Sequence, residues 1–441
     1  MKSKINFIEG KTGKCLVQMV GPLLLSMILM MAYNMVDSLW VGNLLGEAGY
    51  AALTTSTAVI LILNAIAMGA GNGVSILISQ IVGAGKKKEV GGATATIFAV
   101  SGVFSILVTT LLEFFLPLIL KVLQTPEEIY GQAYEYLEIY LLGYAAIYLY
   151  MQFTAVFRSF GDPVFQVKGM FVSTILNAII NPVLISFWGI KGAAYATVLA
   201  EILCLGFAIV YYKKKVFFSI VWKEMSCKYL KEFVRAAIPS AIQQCMPAIS
   251  TAAMTILVSR FGVTTLTAYG VCGKLETFLF YPAMAVNMAL TSIVGQCMGA
   301  ERKDRVKSYM KCAIIYGAMA MAVLSVGIIV FSGELSHMFV QNSEVSQTVK
   351  EFFHIVSIGY VLYFITSCYL GKLSGEGKPG MSMLLLIFYY VIVRIPLAYC
   401  LVESSIGLNG IWIAILVSHI VAAILALVIG NKNRILSRTF T

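Results

Sequence analysis

Charge is what this chain of 441 residues has little of: Asp, Glu, Lys and Arg make up 12% of it, while 59% is hydrophobic. A soluble domain carries about twice that charge. So small a polar complement cannot cover a surface in water, and the reading left is a chain embedded in lipid. Histidine is scarcer still, with three residues, His337, His354 and His419. There is no HExxH, no GxSxG and no pair of Asp in the apolar runs, which argues against a membrane-embedded enzyme. Nine cysteines are present, none in a CxxC and none near His at ligand spacing. They lie scattered in apolar stretches, as at Cys204, Cys272, Cys297 and Cys368, and read as small hydrophobes. No disulfide framework, metal site or cofactor is expected.

What the chain does have is apolar runs long enough to span a bilayer, about 20 residues each, separated by short polar breaks. They fall at 15–41, 52–82, 93–118, 132–156, 163–187, 191–212, 234–259, 266–297, 309–331, 349–371, 380–402 and 408–430. That predicts an all-α integral membrane protein of twelve transmembrane helices. The second and eighth runs exceed a bilayer's thickness, which implies tilt or extension beyond it. Met1 to Lys14 is polar and basic, and the run from Leu16 to Trp40 is too long for a signal-peptide core. It is read as a retained first helix.

The net charge of +11 tests the topology. With the N-terminus placed in the cytoplasm, 26 of the 32 Lys and Arg fall on the inner side and four on the outer. Lys274 and Arg394 lie inside spans. So lopsided a division is the positive-inside pattern of a plasma (inner) membrane protein with both termini cytoplasmic. Basic residues that alternate with spans also argue against a nucleic-acid partner.

The chain repeats itself. Gln80, Gly83, Ala84 and Lys87 recur in the second half, at one constant offset, as Gln296, Gly299, Ala300 and Lys303. Ala52, Gly161 and Pro163 recur at the same offset as Ala268, Gly377 and Pro379. Pro22 recurs as Pro239 with the offset longer by one, and Gly189 and Gly192 recur as Gly407 and Gly410 with it longer by two. Six helices per half leave both halves facing the same way, a parallel repeat about the membrane normal, typical of transporters that rock two halves about a central site. The predicted organisation is an N-terminal six-helix lobe over 1–215, a cytoplasmic linker over 216–231 and a C-terminal six-helix lobe over 232–441.

An ionisable group in the hydrocarbon core costs about 2.5–3.5 kcal/mol even on the mildest scale, so each one suggests function. Asp37 is the clearest. Tyr33 lies four residues before it, on the same helix face, with Asn34 flanking. The fifth span offers Asn177 and Asn181, also four apart, followed by Pro182. Carboxylate, phenol and amides together suit a proton or a dehydrated sodium ion. A carboxyl taken out of water also holds its proton more readily. Lys274, Glu276 and Arg394, with Glu201, are either internal ion pairs or the polar lining of a cavity. Other cavity candidates are Met30, Met68, Asn72, Gln243, Gln244 and Asn287. Gly69, Gly71 and Gly73 sit mid-membrane with no strand before them, so close helix packing explains them better than a nucleotide site. Pro22, Pro239, Pro247 and Pro282 each free a carbonyl inside a span and mark bending points.

These residues resemble those of the multidrug and toxic compound extrusion (MATE) transporters. The resemblance rests on Pro22 with Tyr33 to Asp37 and Val41-Gly42, and on Ser79 to Lys86. It rests also on Arg158 to Pro163, Asn177 to Pro182, and Val294 to Gln296 with Gly299-Ala300. Ala268 to Gly270 and Lys274 to Glu276 resemble the prokaryotic DinF-like and MepA-like branch. The resemblance implies two six-helix lobes in a V about a central cavity, and export of organic, often cationic, substrates against inward protons or sodium. By matching position it makes Asp37 the coupling carboxylate, with Tyr33, Asn177 and Asn181 around it. Where some branches carry a Glu in the seventh helix, this chain has Pro247. Where archaeal relatives place an Asp, it has Asn181, which leaves Asp37 as the lone carboxylate of the first lobe.

The expected function is therefore a cation-coupled antiporter of small organic compounds, working as a monomer in lipid by alternating access. A lipid-linked precursor or metabolite flippase of the same superfamily is the alternative, disfavoured by the few mid-span cations. A channel fits a twofold repeat with one buried carboxylate less well.

Overall fold

The computed structural model describes residues 5–215 and 218–436, every regular element of which is helical. Lys2, Lys4 and Arg438, all expected in the cytoplasm, and the linker residues Val216 and Phe217 lie outside the described residues. The helices are α1 (Thr12–Gly83), α2 (Lys87–Val122), α3 (Glu127–Ser159), α4 (Val164–Trp188), α5 (Ile190–Lys215) and α6 (Cys227–Val258). They continue as α7 (Val263–Gly299), α8 (Lys303–His337), α9 (Ser343–Gly375), α10 (Pro379–Ile387), α11 (Ile395–Val402) and α12 (Leu408–Leu436). A π-helical turn over Phe388–Arg394 joins α10 to α11 into one span.

Eleven of these helices are long and apolar enough to cross a membrane. The first covers 72 residues, and Gly46 breaks it with φ 69° and ψ −160°. Divided there, the spans number twelve. The polar break expected over 42–51 is thus a single-residue kink with helix on either side.

The repeat is written into the backbone as well as the sequence. Left-handed φ angles recur in pairs: Gly46 with Gly262, Gly85 with Glu301, Gly161 with Gly377, and Gly189 with Gly407. A residue with positive φ ends or breaks a helix, so four matched breaks per half give the two halves nearly the same helix lengths. Gly46 is accordingly the counterpart of the break at Gly262 between α6 and α7.

The chain forms two compact units. The first is Met1–Asn6 with Gly21–Ala241, and the second is Phe7–Val20 with Ile242–Thr441. In the first unit Gly69 and Gly73 of α1 let α6 in closely. A Cβ on Gly73 would stand 2.9 Å from the Ala237 Cα, and one on Gly69 would strike the Ala241 backbone. Gly71 faces Ala155 of α3. The glycine string is therefore a packing device. In the second unit the chain before α1 is gripped by α8: the Phe7 carbonyl accepts from Tyr309 Oη at 3.0 Å and from Arg305 at 3.0 Å, and the Gly10 carbonyl also accepts from Arg305. Pro22 stands beside the point where the chain enters the first unit, and Pro239 beside the point where it leaves it.

Candidate functional site

In the first unit α4 presents one polar stripe. Its buried residues are Phe165, Gly169, Ser173, Asn177, Asn181 and Ile185, four apart throughout, so they share one face. Asn177 and Asn181 on that face meet α1, and Ser173 meets Glu201 of α5. Asn181 Nδ2 donates to Asp37 Oδ1 at 2.6 Å, and Asn177 Nδ2 donates to Tyr33 Oη at 3.1 Å. Asp37 is 7% exposed and both amides are fully buried. The four residues expected to converge do so. Asn34 does not join them: it is exposed, because a position next to Tyr33 points about 100° away around the helix.

More side chains close round this group than the sequence suggested. Thr197 and Glu201 of α5 and Tyr136 of α3 lie close to Tyr33, and Asn64 and Tyr140 lie within reach of the same cluster. Glu201 stands beside Ser173. Asp37 is therefore not the lone carboxylate of this half. Ionisable groups of α1 and α5 meet because both helices pack on α3 and α4, a convergence that spacing along one helix cannot reveal. Two buried amide oxygens here, Asn177 Oδ1 and Asn181 Oδ1, have no protein partner. Buried polar atoms are normally satisfied. Acceptor oxygens gathered unsatisfied beside a carboxylate are a donor set suited to a small hard cation or a proton.

The second unit has its own polar centre. Arg394 closes the π turn and is 7% exposed. Its Nε donates to Ser418 Oγ at 2.9 Å, Nη1 to Ser250 Oγ at 3.4 Å and Nη2 to Tyr389 Oη at 2.6 Å. The guanidinium lies 4.8 Å from the ring centroids of both Tyr389 and Tyr390, a cation–π arrangement. His419 Nδ1 meets Tyr389 Oη at 2.8 Å. Glu276 accepts from Tyr360 Oη, whose ring lies 5.8 Å from that of His419. Among the described residues no ion pair joins Arg394 or Lys274 to Glu276, and Lys274 is exposed. Arg394 is thus held by hydroxyls and aromatic faces.

The other candidates are spread over both units. Met30 and Met68 are half-buried and Asn72 is buried in the first; Gln243 is buried, and Gln244 and Asn287 are half-buried, in the second. Pro22, Pro239, Pro247 and Pro282 are half-buried within their helices.

Among curated proteins the chain is 25% identical over 406 residues to "Probable multidrug resistance protein YoeA" of Bacillus subtilis, covering 89% of this chain and 88% of the relative. It is 21% identical over 436 residues to "FAD transporter" of Shewanella oneidensis, covering 96% and 95%. Among solved structures, a MOP superfamily transporter from Pyrococcus furiosus shares its fold with a TM-score of 0.93 at 22% identity, over 100% of both chains. The MatE family model matches twice, over residues 22–183 and 239–400. The second match is displaced from the first by the step that separates Pro22 from Pro239, in the register of the internal repeat. With most of its length matched in two copies, this chain belongs to the MatE family, whose members are transporters rather than enzymes.

Proposed function

We propose that the chain is a cation-coupled antiporter that exports small organic compounds, and that the coupling ion, a proton or sodium, binds at Asp37. The observation that carries this reading is the Asp37–Asn181 contact of 2.6 Å among buried oxygens that have no protein partner. The names of the relatives favour multidrug efflux as the activity. A buried carboxylate that alternates between bare and cation-neutralised has a different free energy in states that differ in its exposure. That difference is what lets an ion gradient bias the two states.

In this reading Asp37 holds the ion, Tyr33 and Asn177 fix its surroundings, and Asn181 orients the carboxylate. Substrate is met by the apolar and polar candidates Met30, Met68, Asn72, Gln243, Gln244 and Asn287. Pro22 and Pro239 stand where the chain passes between the units, the expected place for bending as the lobes over 1–215 and 232–441 alternate about their linker. The protein works as a monomer in the cell membrane with both termini in the cytoplasm.

Export of an anionic metabolite, or flipping of a lipid-linked precursor, is a second reading. Arg394 with Lys274 in the second unit favours it, and one relative is named an FAD transporter. The deciding experiment is efflux of ethidium from proteoliposomes under a pH gradient, a sodium gradient or neither. Gradient-driven ethidium efflux that Asp37→Asn abolishes is the expected result. No ethidium transport under any gradient, with FAD or a labelled lipid-linked pyrophosphate moved instead, supports the second reading.

A further inference from the structure

The repeat allows the two polar centres to be superposed residue by residue. Pro22 and Pro239 set α1 and α6 in register, and the burial patterns then coincide. Leu23, Ser26, Tyr33, Asp37 and Val41 are buried on α1; Ser240, Gln243, Ser250, Met254 and Val258 are buried on α6. Ser250 thus stands where Tyr33 does, and Met254 where Asp37 does.

The fifth helix of each half carries one change of register. Gly161 and Gly377 set its start. Further on, a Cβ at Gly192 would strike the Leu184 carbonyl and one at Gly410 the Leu401 carbonyl, and the step between these leucines is longer by one than that between Gly161 and Gly377. One residue has been added in between, and the π turn at Phe388–Arg394 is where the backbone absorbs it. From the last residue of the turn onward, Arg394 matches Asn177 and the buried Ala398 matches Asn181. A hydrogen bond confirms the match: Asn177 donates to Tyr33 across 144 residues, and Arg394 donates to Ser250 across 144 residues. On the sixth helix, Gly189 and Gly407 set the register, which puts His419 where Glu201 is. His419 meets Tyr389 as Glu201 stands beside Ser173, which in the register ahead of the turn is the counterpart of Tyr389.

The second centre is therefore the first with its charge reversed. Met254 and His419 replace the two carboxyls, Ala398 replaces the amide that holds Asp37, and a guanidinium is added. Arginine is not deprotonated in proteins, so this cation can neither leave nor titrate. The groups facing it are Tyr389, Tyr390, Tyr269, His419 and, further off, Glu276. We propose that Arg394 is a tethered cation in the second copy of the coupling site, so that the second unit takes up no coupling ion and the first unit alone sets the count. This rests on the antiport reading above.

The test counts cations bound per chain in the purified full-length protein, using 22Na+ binding and the protons released when ethidium is added. One cation in the wild type, none in Asp37→Asn, is the expected result. The variant M254D/A398N/R394N restores the carboxylate and both amides to the second centre. It should bind a second cation, and should keep one when Asp37→Asn is added. Two cations in the wild type, one of them lost in Asp37→Asn and the other kept in Asp37→Asn/Glu201→Gln, would overturn the inference and leave the antiport reading standing. No bound cation of either kind in the wild type sinks the antiport reading and the inference together.

Discussion

The first unit gathers carboxyls, amides and hydroxyls at a place where the second gathers a guanidinium, an imidazole and phenols. The helices that carry them match in break points and in buried face, and nearly in length. The difference lies in a handful of side chains and a few one-residue changes of register. The comparison separates what the fold supplies, two equivalent frames of polar positions, from what chemistry each frame performs. In the first, a carboxylate sits beside acceptors that have no protein partner, an arrangement that can gain and lose a cation. In the second, the donors of Arg394 are taken up by Ser418, Ser250, Tyr389 and His419, an arrangement suited to staying as it is.

The comparison can be broken most forcefully at Arg394. Arg394→Met removes the charged donor to Ser418, Ser250 and Tyr389, and each hydrogen bond to a charged group is worth about 1.5–3 kcal/mol. The melting temperature in detergent should fall steeply, and a double-mutant cycle with Ser418→Ala should show the two changes to be non-additive. An unchanged melting temperature would mean that the hydroxyls and rings of the second centre do not hold Arg394 as described. At Asp37 the effect should fall on coupling: gradient-driven efflux in Asp37→Asn should drop by roughly 100-fold, near the upper end of typical coupling energies. Its melting temperature should hold or rise, since a buried charge is removed. Asn181→Ala removes one hydrogen bond to a charged group, worth about 1.5–3 kcal/mol. It should weaken cation binding by roughly tenfold or more, whereas Ala398→Ser at the matching position of the second unit should leave that constant alone. Asn34→Ala, exposed and outside the cluster, should change stability by less than about 0.5 kcal/mol and leave coupling intact. A large coupling defect there would redraw the boundary of the first centre.

Tyr33, Asp37, Asn177 and Asn181 were legible in the sequence because polar residues four apart in an apolar run share a face. Intramembrane carboxyls are also costly enough to be conspicuous. Tyr136, Tyr140, Asn64 and Thr197 were not, since Tyr, Asn and Thr are common in spans and only the packing of α3 and α5 on α1 selects these few. Glu201 was visible as a charge, but its company was not. The twelve spans followed from hydropathy, while the kink at Gly46 did not, because a polar stretch with a glycine in it reads as a loop even where helix continues on both sides. The π turn had left its trace: a repeat whose offset lengthens along the chain is the arithmetic of inserted residues. Its position became visible only in the backbone.

The grip of Arg305 and Tyr309 on the Phe7 carbonyl bears on how the protein is made. Phe7 to Val20 belongs with the second unit, yet it leaves the ribosome long before its partners on α8, which follow Phe7 by 298 and 302 positions. At typical synthesis rates of about 5–20 residues per second the interval is roughly 15–60 s. For that time Phe7 to Val20 has no docking place of its own, while the first unit is completed with the arrival of Ala241. The last contacts of the finished molecule thus include those of an early segment, and a bulky insertion directly before Phe7 should delay maturation far more than a tag placed after Leu436.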